Sequence, residues 1–147
     1  MQPTAIMRRD TARTAEQLGI LLSLVEAVLF VFVAVLHFGI DVRLAGGTYA
    51  TPFLYPAAIL EAAVALGLVV AVVLPARRHV RAGRVIAAQV FAVIGIVVGQ
   101  VALMYGANLT TARNEIFYGV ALVLSLGCIA LLGVPAYHRS GRRTQRA

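Results

Sequence analysis

Four apolar stretches, each about the length of a bilayer crossing, leave this chain few ways to fold. They run from Gln17 to Ile40, Thr51 to Leu74, Val85 to Tyr105 and Ile116 to Tyr137, joined by short polar or basic segments. A hydrocarbon core about 30 Å thick takes roughly 20 helical residues to cross. Backbone polar groups inside it are satisfied only in helices or closed barrels. The sequence therefore reads as an all-α, polytopic membrane four-helix bundle in a single domain, with spans at about 18–40, 53–74, 84–105 and 116–137. Residues 1–16 are expected as a mobile basic tail with room for helix near the membrane, and residues 138–147 as a disordered one. At 61% apolar the chain exceeds the roughly 45–50% of a soluble domain.

Charge placement orients the bundle. The net charge is +7, and all 13 basic residues are arginine. Eleven of them (Arg8, Arg9, Arg13, Arg77, Arg78, Arg81, Arg84, Arg139, Arg142, Arg143 and Arg146) fall on one side of the spans; only Arg43 and Arg113 fall on the other. Positive loops stay in the cytoplasm, so both termini and the 75–84 connection are expected inside, in a bacterial inner membrane. Arginines confined to the ends of apolar runs argue against nucleic acid as a partner. The first run is too long for a signal-peptide core and reads as an uncleaved span. Residues 41–52, with Gly46, Gly47 and Pro52, read as an outer loop that folds partly over the bundle. Tyr49, Tyr55, Tyr105 and Tyr118 are expected in an outer interfacial belt. The lone cysteine, Cys128, excludes an intrachain disulfide, a dithiol redox pair and a cysteine-based zinc site.

The chemistry lies in the polar residues within the spans. A charge in hydrocarbon costs roughly 2.5–3.5 kcal/mol on insertion scales, so ionisable groups there usually face a partner, a cavity or a ligand. Glu61 in the second span and Glu26 in the first are the candidates for ligand or proton binding, with His37 and Gln100 beside them. A separation of 11 residues returns a helix to almost the same face, which places Glu26 with His37 and Gln89 with Gln100. Counting rise from the cytoplasmic edge puts Gln89 at roughly 8 Å, Glu26 and Cys128 near 12, Ser125 near 16, Glu61 near 18, Gln100 near 24 and His37 near 28. If these faces turn inward they form a polar ladder, suited to carrying protons or cations or to lining a ligand cavity. The plain alternative is that buried acids bonded to Gln or Ser on neighbouring helices merely join them.

Gln89, Ser125 and Cys128 are read as such helix contacts, and His37 as a lone interfacial imidazole. His79 and His138 lie at the other end of the spans, so no metal site is expected. Gly95-Ile-Val-Val-Gly99 is a small-xxx-small pattern that admits a close helix, either within the chain or in a homo-oligomer. Asn108-Leu-Thr110 matches a glycosylation sequon but sits too close to the membrane to be a good acceptor. The shared orientation of the two hairpins leaves room for a duplication, with the two 11-residue spacings as its only echo.

Leu36-His37-Phe38-Gly39, then Pro56, Leu60-Glu61 and Gly67, resemble the DoxX-like group of small four-span membrane proteins. That group often closes its first span with a basic or His residue and carries a Glu early in its second. The resemblance covers the first half of the chain. It implies a bacterial inner-membrane protein accompanying redox, quinone or detoxification systems, with Glu61 and His37 as the residues carried over. The second half bears no such mark and there is no cysteine pair, which weighs against oxidoreductase chemistry in this chain. A second resemblance, to the small multidrug resistance transporters, would make Glu26 the coupling acid. Those chains are shorter, and the dual insertion known among them conflicts with the arginine bias here.

The expectation is thus an accessory or small-ligand-binding subunit of a membrane redox system, without enzymatic apparatus of its own and with its cofactor unspecified. Proton-coupled export by an oligomer and a structural role in a larger membrane complex are the alternatives.

Overall fold

The computed structural model describes the backbone of residues 3–44, 46–49, 53–102, 104 and 112–144. Side chains are described for 13–43, 46–49, 53–77, 80–101, 104 and 114–133. Four helices dominate: α1 (Pro3–His37), α2 (Tyr55–Val73), α3 (Arg78–Ala102) and α4 (Ala112–Thr144). All four are long and apolar enough to cross a membrane. The order of neighbours is a ring, with α1 against α2 and α4, and α3 against α2 and α4.

Local sequence accounts for the helix ends. Gly39 takes φ 80°, its N–H bonds to the Leu36 carbonyl at 2.9 Å, and the Ile40 N–H reaches back to Val35 at 3.3 Å. This is a left-handed glycine terminator of the Schellman type, and it makes His37 the last residue of α1. Pro56 lies in the first turn of α2, where its missing donor costs nothing. At the far end Leu74 is extended, with ψ 131°, because it precedes Pro75 and the proline ring excludes helical geometry there. The Arg84 guanidinium then donates to the freed Leu74 carbonyl at 2.6 Å.

Between α1 and α2 the chain forms a short antiparallel ladder of β1 (Val42–Leu44) and β2 (Gly47–Tyr49). Over its described residues the expected loop thus carries regular secondary structure. It folds back as anticipated: Tyr49 meets Phe32 of α1 edge to face, with ring centroids 6.1 Å apart, and the Leu54 N–H bonds to the His37 carbonyl at 3.0 Å. Where they are described, both tails are helical, the second in place of the expected disorder. Helix α1 already begins at Pro3, and α4 continues to Thr144. A helix with both ends in polar surroundings need not stop at the end of its apolar stretch, since Ala, Arg, Gln and Glu are good helix formers.

Every helix buries a seam at alternating three- and four-residue steps. On α1 it is Gly19, Ser23, Glu26, Phe30, Val33 and His37; on α2 Ala58, Glu61, Ala65 and Leu68; on α3 Val85, Gln89, Ala92 and Ile96; on α4 Asn114, Tyr118, Ala121, Ser125, Cys128 and Leu132. Such spacing is that of nearly antiparallel helices packed at about 20°. The surface is the reverse of a soluble protein's, because Val28, Leu66, Val73, Ile116 and Val123 are exposed while Ser23, Glu26, His37, Glu61, Gln89 and Ser125 are buried. Exposed apolar area on this scale needs an apolar surrounding. The four helices and this inversion suggest a multi-pass membrane protein.

Two glycines seat neighbours inside the chain. A Cβ on Gly95 would stand 3.1 Å from Val64 Cγ2, and one on Gly99 would stand 3.5 Å from the Tyr118 hydroxyl. The small-xxx-small face of α3 is thus occupied by α2 and α4.

Candidate functional site

The polar seam residues gather into two layers. In the layer nearer the β-hairpin, His37 Nδ1 and Glu61 Oε2 are 2.8 Å apart, and the Tyr118 hydroxyl donates to Glu61 Oε1 at 2.8 Å. Three helices contribute, and the α2–α4 bond crosses the centre of the ring. His37 is fully buried, with Glu61 at 2% and Tyr118 at 4% exposure, so these bonds are shielded from competing water. With one proton shared between them, the pair is electrically neutral whichever partner holds it, which is the arrangement hydrocarbon tolerates best. Glu61 has both oxygens engaged. His37 Nε2 is buried and has no hydrogen-bond partner.

Helix geometry explains why these groups meet. Side chains lean toward the amino terminus of their own helix, so His37 at the end of α1 leans into the bundle. Glu61, about 9 Å along α2 from Tyr55, leans back toward the hairpin. Helical rise alone sets their Cα atoms about 10 Å apart in depth, and the opposed reach of two long side chains closes that distance to a 2.8 Å contact. His37 is accordingly a paired imidazole rather than a lone interfacial one. Tyr118 leaves the expected aromatic belt for the interior, while Tyr55 remains exposed. Tyr105 and the Asn108-Leu-Thr110 sequon lie outside the described residues.

The second layer lies toward the opposite end. Ser125 donates to Glu26 Oε1 at 2.5 Å. Gln89 Nε2 donates to Ser23 Oγ at 3.0 Å, and Ser23 donates to the Gly19 carbonyl at 2.8 Å. Cys128 lies 3.5 Å from Ser23 Oγ and 3.4 Å from the Gly19 carbonyl. Gln89, Ser125 and Cys128 thus act as helix contacts, as read from the sequence. Glu26 Oε2 and Gln89 Oε1 are buried without partners.

An apolar layer separates the two. Ala27, Phe30, Val64, Ala65, Leu68, Ala92, Ile96 and Ala121 pack as one buried cluster, and Glu26 and His37 stand 11 residues, about 16 Å, apart along α1. The polar ladder is interrupted at mid-bundle. Gln100 is only half-buried, and its Oε1 lacks a partner. Among the described residues no cluster of three or more His, Cys, Asp or Glu side chains could hold a metal ion.

The residue that sequence reading missed is Tyr118. Its one signal was its spacing of seven from Ser125, two turns along one face, which is compatible with the seam as well as with the belt. Cys128 is fully buried, and a buried thiol within apolar packing is inert. Maleimide labelling in mild detergent should therefore be slower by at least about tenfold than in denaturing detergent; equal rates would show that α1 and α4 part readily.

Compared with known proteins, the chain matches no family model, no curated protein and no solved structure.

Proposed function

We propose that the protein is a small multi-pass subunit of the bacterial cytoplasmic membrane, with both termini inside. In this reading it holds an oil-soluble carbonyl compound of the quinone class at His37, as an accessory to a redox system. The observation that carries this reading is the imidazole itself: fully buried, held at Nδ1 by Glu61, and with Nε2 lacking a partner. A buried polar atom left unpaired costs about 1–3 kcal/mol. A ligand oxygen bonded to Nε2 would recover that cost.

The chemistry suits such a ligand. Glu61 fixes the ring and the tautomer, as a carboxylate does behind many working histidines. Tyr118 holds the second carboxylate oxygen, so Glu61 and His37 can pass a proton between them without net charge appearing in hydrocarbon. A carbonyl that gains protons when reduced needs such a relay. The electrons would come from a partner protein.

The test is extraction. Protein purified from its native membrane in mild detergent is extracted with organic solvent, and quinone per chain is measured chromatographically. Near-stoichiometric quinone is expected for the unaltered chain, falling about tenfold in His37→Ala if one bond of roughly 1.4 kcal/mol is lost. Glu26→Gln should retain it, since Glu26 lies beyond the apolar layer. Equal retention in His37→Ala would overturn the reading. Proton-coupled substrate uptake abolished by Glu26→Gln would favour export instead. A carboxy-terminal fluorescent fusion that folds only in the cytoplasm tests the orientation.

A further inference from the structure

We propose that a cleft at the end of the bundle away from His37 binds the phosphate-bearing headgroup of an anionic phospholipid. The cleft encloses about 320 Å³ between the amino-terminal part of α1 and the α2–α3 connection. It is lined by Arg13, Glu16, Gln17, Ile20, Ala76 and Arg81. Its level follows from the sequence: the apolar run of α1 opens after Gln17, that of α2 closes at Leu74, and that of α3 opens at Val85, with Arg13, Glu16, Ala76 and Arg81 just outside them. The cleft therefore sits where apolar surface gives way to polar surface, at the depth of a headgroup.

Its chemistry points to a phosphate. Two arginines and one glutamate are among the lining residues, leaving the wall at +1 by formal charge. Arg81 Nε is buried and without a partner; Arg84, whose Nε is likewise unpartnered, is held outside the cleft by donating through Nη2 to the Leu74 carbonyl. A guanidinium offers parallel N–H donors matched to two phosphate oxygens. Gln17 adds an amide to the rim, and Ile20 supplies an apolar wall at the mouth. Free phosphate has no use for that wall. A lipid would lay the top of an acyl chain on it, which is why the lipid is the occupant inferred.

The experiment uses the full-length chain in mixed micelles containing phosphatidylcholine and phosphatidylglycerol, with retained lipids counted by native mass spectrometry. Selective retention of phosphatidylglycerol is expected. Each arginine near an anionic headgroup is worth about fivefold in affinity, so Arg13→Gln with Arg81→Gln should lower retention about twenty-five-fold. Arg77→Gln removes the same charge from an exposed position outside the cleft and should change retention less than twofold.

Ala76→Glu, which places a carboxylate in the cleft and leaves both arginines in place, should expel the lipid while preserving ellipticity. It carries the test if the arginine pair impairs folding. Undiminished retention in Ala76→Glu, or an equal loss in Arg77→Gln, would overturn the proposal; the latter would reveal diffuse charge attraction. Displacement of the lipid by inorganic phosphate alone, at concentrations that leave Arg77→Gln and unaltered protein alike, would instead make free phosphate the occupant and would also overturn it.

Discussion

Replacing Glu61 with alanine is expected to destabilise the bundle by about 3 kcal/mol, and replacing it with glutamine by about 1 kcal/mol. Glu61 is bonded to Tyr118 and His37 at 2.8 Å each, and alanine removes both bonds. In water, removing one partner of a buried ion pair costs about 3–5 kcal/mol because the other is left charged and dry. Here the unfolded reference remains among hydrocarbon and detergent, where polar groups find substitute partners, and measured interhelical bonds average about 0.6 kcal/mol with a ceiling near 1.7. Two bonds then contribute about 1–3 kcal/mol, and the volume vacated by the truncated side chain adds about 1 kcal/mol. Glutamine keeps the shape and one acceptor, so it loses less. Reversible unfolding in mixed micelles, followed by ellipticity, measures the difference. A cycle with His37→Ala should show coupling of about 1 kcal/mol; no coupling, with Glu61→Ala within about 0.5 kcal/mol of the unaltered chain, would mean that the pair contributes nothing to holding the helices.

The second large effect is steric. Replacing Gly19 with leucine should cost about 2–3 kcal/mol, because a Cβ at that position would stand 3.0 Å from Leu132 Cγ and Cδ2. Leucine pushes α1 from α4 and breaks the approach that lets Cys128 reach the Gly19 carbonyl. Alanine is a milder case whose sign is close to balanced: a tight contact with a pliable Leu132 side chain opposes a helix-propensity gain of about 1 kcal/mol. Leu132→Ala in the Gly19→Leu background should restore at least half of the lost stability, since it moves volume from one helix to the other. The same unfolding measurement tests it. Failure of that rescue would place the damage elsewhere than at the α1–α4 crossing.

The division into two polar layers shapes the functional reading. Phe30, Val64, Leu68 and Ile96 lie between them, all nearly inaccessible. A proton leaving Glu26 finds no bonded route to Glu61 through that packing, so each acid works with its own neighbours. The His37 layer has the feature a ligand site needs: a carboxylate with both oxygens bonded orients an imidazole whose outer nitrogen has no partner. The Glu26 layer also leaves Glu26 Oε2 and Gln89 Oε1 without partners, but its hydrogen bonds join side chains of α1, α3 and α4, as a helix clamp does.

Much of the frame was legible in order. Pro56 and Pro75 bracket α2 because a proline is harmless in a first turn and excludes helix from the residue before it. The 11-residue spacing of Glu26 and His37 did identify one face of α1, and both side chains are buried on it. The pairing of His37 with Glu61 was not legible. Boundary errors of two or three residues shift a depth by about 3–5 Å, and two side chains reaching toward one another shift it by as much again. Tyr118 was misplaced because an aromatic residue near the end of an apolar run satisfies both the belt pattern and the seam pattern, and only the rotation of α4 separates them.

By itself the sequence determined how many apolar helices there are, roughly where each apolar stretch lies, which residues no lipid would accept without a partner, and where the arginines collect. These follow from transfer energies and from the lengths needed to satisfy a backbone in oil, both properties of single segments. Which acid meets which histidine, how far apart the two layers stand, and that Gly95 and Gly99 seat Val64 and Tyr118 were decided only when four helices chose their rotations together. Those choices are set by side-chain packing between segments, a quantity that no segment carries alone.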